Sequence, residues 1–470
     1  MPRVPAEERA RLNRVAAEAA PLAVILTAGG LLFAHGLRAG TTWDEAVYLG
    51  QTDALAHGQK LGTQVFTAQP PGFHWLLLAV ARIGGLGIDQ LRLANLALAL
   101  VGLLAVYVTA RAVAGPVAGL AAAALLSIAP AYPTFAAEIS ADLPGCVLAA
   151  VSLACFVAPT RRRRLWLVAG GLLFAAAELV KLDAFILVLP VAAYCATRRI
   201  RPADLGIASV AACAGFAAAA AGLGSELPAV WRSAVSYHVA ARRVGGSISP
   251  NEHELTSFFH PHQPFTWLAV VGFAAAIALR PRTKLPLWPL WATAVVSVLF
   301  LLWHRPIRDN HMVLLAVALA PAVGASLAVA AVQRRRPVVI GALVLALLAA
   351  YVQDTRHAER QTALMPGLTW AAKKVEAAVP PGQLVVSDHP IVPFLAHRQM
   401  PGQTIDSALL RFSAGYLTDG DVLHAIAEYH VPVVVVGRSF YTRPRILAAL
   451  ARRFSKHRTF ATITVYYRSG

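Results

Sequence analysis

Apolar stretches about as long as a bilayer is thick recur through most of this 470-residue chain, and they constrain its fold more than any other feature. In hydrocarbon every backbone N–H and C=O must find a partner inside the protein, so such stretches become helices. About 20 residues cross a membrane core. Only 14% of the residues are charged, against about 25% in soluble domains. The apolar runs fall near residues 20–38, 92–110, 114–130, 143–158, 165–180, 183–197, 203–223, 265–280, 286–303, 311–331 and 337–353. The reading is an α-helical polytopic membrane protein of about 11 spans.

The charges between these runs are sorted. Arg111, Arg161–Arg164, Arg198–Arg201, Arg280–Lys284 and Arg334–Arg336 fall on alternate turns. The positive-inside rule puts them in the cytoplasm together with the N-terminus. Residues 39–90, 131–142, Lys181–Asp183, 224–264, 304–310 and 354–470 then lie outside. This topology accounts for the net charge of +18 without nucleic acid, and the lipid bilayer is the expected partner of the basic loops. The four cysteines sit in apolar runs without paired spacing, so they read as small core residues.

Three parts follow. Residues 1–19 form a cytoplasmic lead-in, 20–353 a membrane domain, and 354–470 a small extracytoplasmic C-terminal α/β domain. In the last part Gln383–Ser387, Pro432–Gly437 and Thr462–Tyr467 read as strands, and Asp419–Tyr429 and Pro444–Arg453 as helices. In the first outer segment an amphipathic helix is predicted near 44–58 and a short apolar helix near 72–84.

The outer turns hold the residues that could do chemistry. Asp44-Glu45 opens the amphipathic helix; the pair either caps it through the orphan N–H groups or holds a carboxylate in a cavity as a general base. Glu138 and Asp142 are spaced four apart, either solvated or facing the same cavity. Lys181 lies in a tight turn, either snorkelling beside Asp183 or holding a phosphate. His304, Arg305, Arg308 and the Arg242-Arg243 pair are cations and imidazoles on the side where basic residues are not expected. Arginine forks suit phosphate. The histidines His253, His260 and His262 are loosely spaced, so a divalent metal is left open and no cofactor is predicted.

Trp43-Asp44-Glu45-Ala-Val-Tyr48, followed by Gly58, Phe66 and Pro70-Pro71, resembles the first extracytoplasmic loop of C-type (GT-C) membrane glycosyltransferases. The relatives are the protein O-mannosyltransferases and the lipid A aminoarabinose transferases. The resemblance covers roughly residues 20–350 and departs at Gln69, where the aminoarabinose enzymes carry Lys. It implies a GT-C-like fold and a polyprenyl-phosphate sugar donor. It implies Asp44 as base and Asp142 as second acid, but the acceptor class (lipid, glycan or protein) is not carried over; Tyr48, Glu138 and His304 are read as acceptor or cavity residues. Lys181, Arg242, Arg243, Arg305 and Arg308 would meet donor phosphate. The expected place is the cell membrane. The rival reading is a transporter or flippase of an anionic lipid; it lacks paired halves and midplane charges.

Overall fold

The structure, a computed structural model, describes residues 6–158, 160–197, 201–246, 249–260, 263–278, 283–333 and 366–468, with side chains from residue 18 onward. The expected span at 337–353 and the Arg334–Arg336 cluster lie outside the described residues. Sixteen helices order the first part. They are α1 (Ala6–Ala34), α2 (Trp43–Ala56), α3 (Pro71–Gly84), α4 (Ile88–Ala114), α5 (Pro116–Ile128), α6 (Tyr132–Ala136), α7 (Asp142–Val157) and α8 (Arg163–Val180). There follow α9 (Leu189–Ala196), α10 (Pro202–Leu223), α11 (Leu227–Trp231), α12 (Tyr237–Val244), α13 (Ser249–Phe258), α14 (Pro264–Ala278), α15 (Trp288–Trp303) and α16 (Met312–Gln333). Among the described residues four helical runs are long and apolar enough to cross a membrane, and five apolar helices are shorter.

The centre of the bundle is α16, packed by α4, α5 and α7 through buried residues such as Leu103, Leu125, Val147 and Val323. Two glycines let helices meet closely near the polar end. A Cβ on Gly72 would lie 2.7 Å from the Leu179 carbonyl, and one on Gly145 would lie 2.5 Å from the Cβ of Lys181. The start of α3 and the first turn of α7 thus press on the turn that carries Lys181.

The two ends of the bundle differ. At one end Arg111 pairs with Glu18 at 2.8 Å, and Arg163 and Arg201 share Asp204 at 3.3 and 3.1 Å. At the other end lie Arg92, Asp142 and Lys181. Residues 224–244, read as part of an outer loop, instead continue α10 as one helical run to Val244, with a π-helical turn at Arg232–Ser236. That run is interrupted at Gly224, which caps α10 at a φ of 52°, and Pro228 occupies the first turn of α11, where its missing N–H costs nothing.

The C-terminal residues build a four-stranded sheet of order β1-β2-β4-β3 from β1 (Val386–Ser387), β2 (Val433–Val436), β3 (Lys456–Phe460) and β4 (Ile463–Tyr467). β1 and β2 run parallel and the remaining pairs antiparallel. The strand read from Gln383 is only two residues long. β3 has no counterpart in the sequence reading, because all five of its residues are exposed and carry no apolar alternation. Pro366–Ala378 packs one face of the sheet, in a core shared with α2 and α3 through Leu49 and Phe73.

Candidate active site

The first turn of α2 shows which of its two acids the fold uses. Thr42 is the N-cap, and it forms a reciprocal box with Glu45. The Glu45 N–H donates to Thr42 Oγ1 at 3.2 Å, and the Thr42 N–H donates to Glu45 Oε2 at 3.0 Å. This satisfies two orphan donors at once. Glu45 also receives Arg92 in a fork, Nε to Oε1 at 2.8 Å and an Nη at 2.6 Å to Oε2. The Ile139 N–H donates to Oε1 at 3.1 Å. Glu45 is fully buried, and Arg92 places its other donors on the carbonyls of Leu37, Ala39 and Gly40. Glu45, expected beside Asp44 as a catalytic acid, therefore does not line the pocket; it joins α2 to α4 and to the 137–141 segment.

Asp44 is not the cap. Its side chain is about one-third exposed at 31%, and its hydrogen-bond partner is Arg308 at 3.4 Å. It opens onto a pocket with Tyr48, Gln69, Lys181, Tyr237 and Arg305. His304, Arg308 and Asn310 line the same space. The structure thus gathers residues from five distant segments. Burial pushes the Asp44 carboxyl above its ordinary value, Arg308 pulls it back, and Asp406 raises it again. Tyr48 is buried, and its phenol is pushed well up, first by burial and then by Asp44. Gln69, which replaces the Lys of the aminoarabinose enzymes, donates to that hydroxyl at 3.2 Å.

The cations divide. Lys181 faces the pocket but sets its ammonium on Asp142 at 3.1 Å. Asn310 donates to the other Asp142 oxygen at 2.9 Å. Asp142 sits behind Lys181 and does not line the pocket. Arg305 carries a buried Nε with no hydrogen-bond partner among the described residues. Arg242 and Arg243 line an adjoining pocket that shares His238, His304 and Arg305 with the first. Arg242 lies 3.8 Å from the Trp303 ring. His304 is neutral, its pKa lowered to about 2 by burial and then by His311. Glu138 stands apart, accepting from Thr42 Oγ1 at 3.0 Å, with its carboxyl pushed up to about 8 by burial and then by Glu45. His253 and His260 do not line this pocket, and His262 lies outside the described residues.

Two residues of the C-terminal unit beside Asp44, of which Asp406 lines the pocket, were not singled out from sequence. Asp406 comes from the C-terminal unit and is buried with its carboxylate among the lining groups. Arg438 lies 4.3 Å from the Trp43 ring, beside Asp44. Neither carries a local motif.

The geometry has relatives. A sequence model of the dolichyl-phosphate-mannose-protein mannosyltransferase family matches residues 68–221. No curated protein matches the chain in sequence. The fold is similar to that of ArnT from Cupriavidus metallidurans bound to undecaprenyl phosphate, at 16% identity and a TM-score of 0.71, over 95% of this chain and 97% of that one. It is also similar to the archaeal oligosaccharyltransferase AglB from Archaeoglobus fulgidus, in complex with an inhibitory peptide and a dolichol-phosphate. There the identity is 14% and the TM-score 0.52, over 95% of this chain and 74% of that one. The mycobacterial arabinofuranosyltransferase AftD matches at 14% identity and a TM-score of 0.52, over 96% of this chain and 40% of that one. The resemblance read from the first loop is borne out: residues 68–221 match the protein mannosyltransferase family, and the chain carries the GT-C fold.

Proposed function

We propose that this protein transfers a sugar from a polyprenyl-phosphate-linked donor to an acceptor hydroxyl at the outer face of the cell membrane. The N-terminus would lie in the cytoplasm and the C-terminal unit outside. One observation carries the reading. A single pocket combines a partly exposed carboxylate, Asp44, with the cations Lys181, Arg305 and Arg308, the last in a long 3.4 Å contact with it. The fold likeness to a structure bound to undecaprenyl phosphate supports the donor class.

In this reading Asp44 takes the proton of the acceptor hydroxyl, and burial, which raises its pKa, makes it a stronger proton acceptor. The oxygen attacks the anomeric carbon as the bond from that carbon to the phosphate oxygen breaks. Positive charge builds on the sugar, as in glycoside hydrolysis. The electron pair leaves with the polyprenyl phosphate. Arg305 and Arg308 stabilise the charge growing there, and Arg305 Nε is a donor with no partner among the described residues. Lys181 contributes its charge from the Asp142 pair, and Arg242 and Arg243 flank the lipid side. One displacement inverts the anomeric centre.

The test supplies purified protein in native membrane lipid with a polyprenyl-phosphate monosaccharide labelled in the sugar. Release of polyprenyl phosphate with label moving into the lipid, glycan or protein fraction is expected. Movement of intact donor across the bilayer without bond cleavage would instead establish the transporter reading.

A further inference from the structure

We propose that Asp406, supplied by the C-terminal unit, is a positioning residue of the transfer site that acts on catalysis through Asp44. The inference rests on the transfer reading. Its basis is the way the chain brings a second carboxylate to the same pocket from more than 350 residues away and then fixes it there.

The fixation begins at Asp388. Its buried carboxylate accepts the N–H groups of Gly437, Arg438 and Phe440, each at 2.8 Å. Its carbonyl accepts the Trp43 indole N–H at 3.3 Å. One aspartate therefore ties the turn after β2 to the residue before Asp44. Within that turn Ser439 Oγ donates to the Ser407 carbonyl at 2.6 Å. Arg411, buried and 3.7 Å from the Phe66 ring, donates to the Asp406 carbonyl at 2.6 Å and to the Gln403 carbonyl at 2.7 Å. The Asp406 carboxylate accepts one bond, from the Ala408 N–H at 3.1 Å. Its backbone is thus held on both sides, and its carboxylate stands among the charges of Arg411, Arg308 and Arg438. Arg438, on the Asp388 turn, brings an opposing cation above Trp43.

Asp44 faces charged groups from each packed element. Arg308 comes from the 304–311 turn, Asp406 and Arg438 from the C-terminal unit, and Asp142 from the start of α7. Tyr48 is on its own helix, and Lys181, Tyr237, His238, His304, Arg305 and His311 complete the lining. Among these, Asp406 and Arg438 act on the base with opposite sign: the carboxylate favours protonated Asp44 and the guanidinium favours ionised Asp44. Asp142 is already paired with Lys181, and its charge is correspondingly neutralised. The C-terminal unit thereby sets the pH at which the base is ready.

The experiment measures kcat/KM for sugar transfer against pH, with the labelled polyprenyl-phosphate monosaccharide as donor and native membranes as acceptor source. Asp406→Asn keeps the oxygen that accepts from Ala408 but removes the charge, so the acid limb should move to lower pH. The loss at the optimum should be about tenfold or less, well under that of a lost general base. Arg438→Gln should move the limb to higher pH; its backbone N–H, which Asp388 holds, is untouched. A merely structural role would lower activity at all pH values alike. A folded Asp406→Asn with an unmoved limb overturns the proposal. If that variant does not fold, Arg438→Gln decides, and a limb that fails to rise overturns it. Asp44→Asn is measured alongside. An inactive Asp44→Asn with unmoved limbs in the other variants removes this inference alone; an active one removes the Asp44 base assignment and this inference with it, whereas a wild-type protein that cleaves no donor removes the transfer reading.

Discussion

The two sides of the first turn of α2 make an instructive contrast. Beneath it, Glu45 is wholly buried, with its oxygens taken by Arg92, Thr42 and Ile139. Above it, Asp44 is partly exposed and meets Arg308 at the long distance of 3.4 Å. Adjacent carboxylates of similar chemistry thus have different fates. A fully satisfied acid has no capacity left for a substrate, and removing it breaks the fold. An acid with spare lone pairs, partial burial and a cation-lined pocket in front of it can take a proton. The same contrast separates Asp142, saturated by Lys181 and Asn310, from Arg305, whose Nε has no partner among the described residues.

The contrast breaks most sharply at Asp44. Asp44→Asn should lower transfer by about 10²–10⁴. Thermal stability and binding of polyprenyl phosphate, followed by scanning calorimetry and by equilibrium binding, should stay near wild type. Next in size is the buried fork. Arg92→Ala leaves Glu45 charged and unpaired in the interior, a loss of about 3–5 kcal/mol in stability. A lower melting temperature in detergent would show it; an unchanged one would mean that the fork is dispensable.

On the pocket side, Arg305→Gln removes a charge-assisted donor worth about 1.5–3 kcal/mol. Polyprenyl phosphate should then bind about ten- to hundredfold more weakly, with little change in melting temperature. Unaltered affinity would take Arg305 out of the phosphate site. An effect on stability alone, with transfer untouched, belongs to Glu138. Its folded pKa of about 8 lies above the ordinary value of 4.5, so the folded state keeps a proton that the unfolded chain has lost. Stability therefore falls as pH rises through that window. Glu138→Gln, which keeps the acceptor for Thr42, should flatten this decline between pH 5 and 8 in thermal melts. An unchanged slope would assign the decline to other groups.

Much of this is readable in the chain. The apolar helices and the sorted arginines follow from length, composition and short basic turns, signals that tertiary context does not alter. The Thr42-to-Glu45 spacing is itself a capping-box signature, and that spacing alone assigns Glu45 to the helix start. Arg92 is hidden among residues that look like the start of a span, because only the fold brings α4 under α2. β3 escapes because it is an exposed edge strand carrying Lys456, His457 and Arg458, a composition that protects edges and hides strands. The helical residues of 224–244 escape because Gly224 does interrupt α10 and helix resumes only beyond it, with Pro228 in its first turn. Asp406 and Arg438 have no local signal: their place depends on Asp388, Ser439 and Arg411 holding turns together across the C-terminal unit.

The division of labour within α2 is tested most directly by Asp44→Asn and Glu45→Gln, purified side by side and measured for both melting temperature and sugar transfer. The account predicts a crossed result. Asp44→Asn melts like wild type and transfers almost nothing. Glu45→Gln melts at lower temperature, yet its folded fraction transfers within about tenfold of wild type, since no step of the chemistry passes through Glu45. An Asp44→Asn protein that transfers sugar at near wild-type rate would contradict the account.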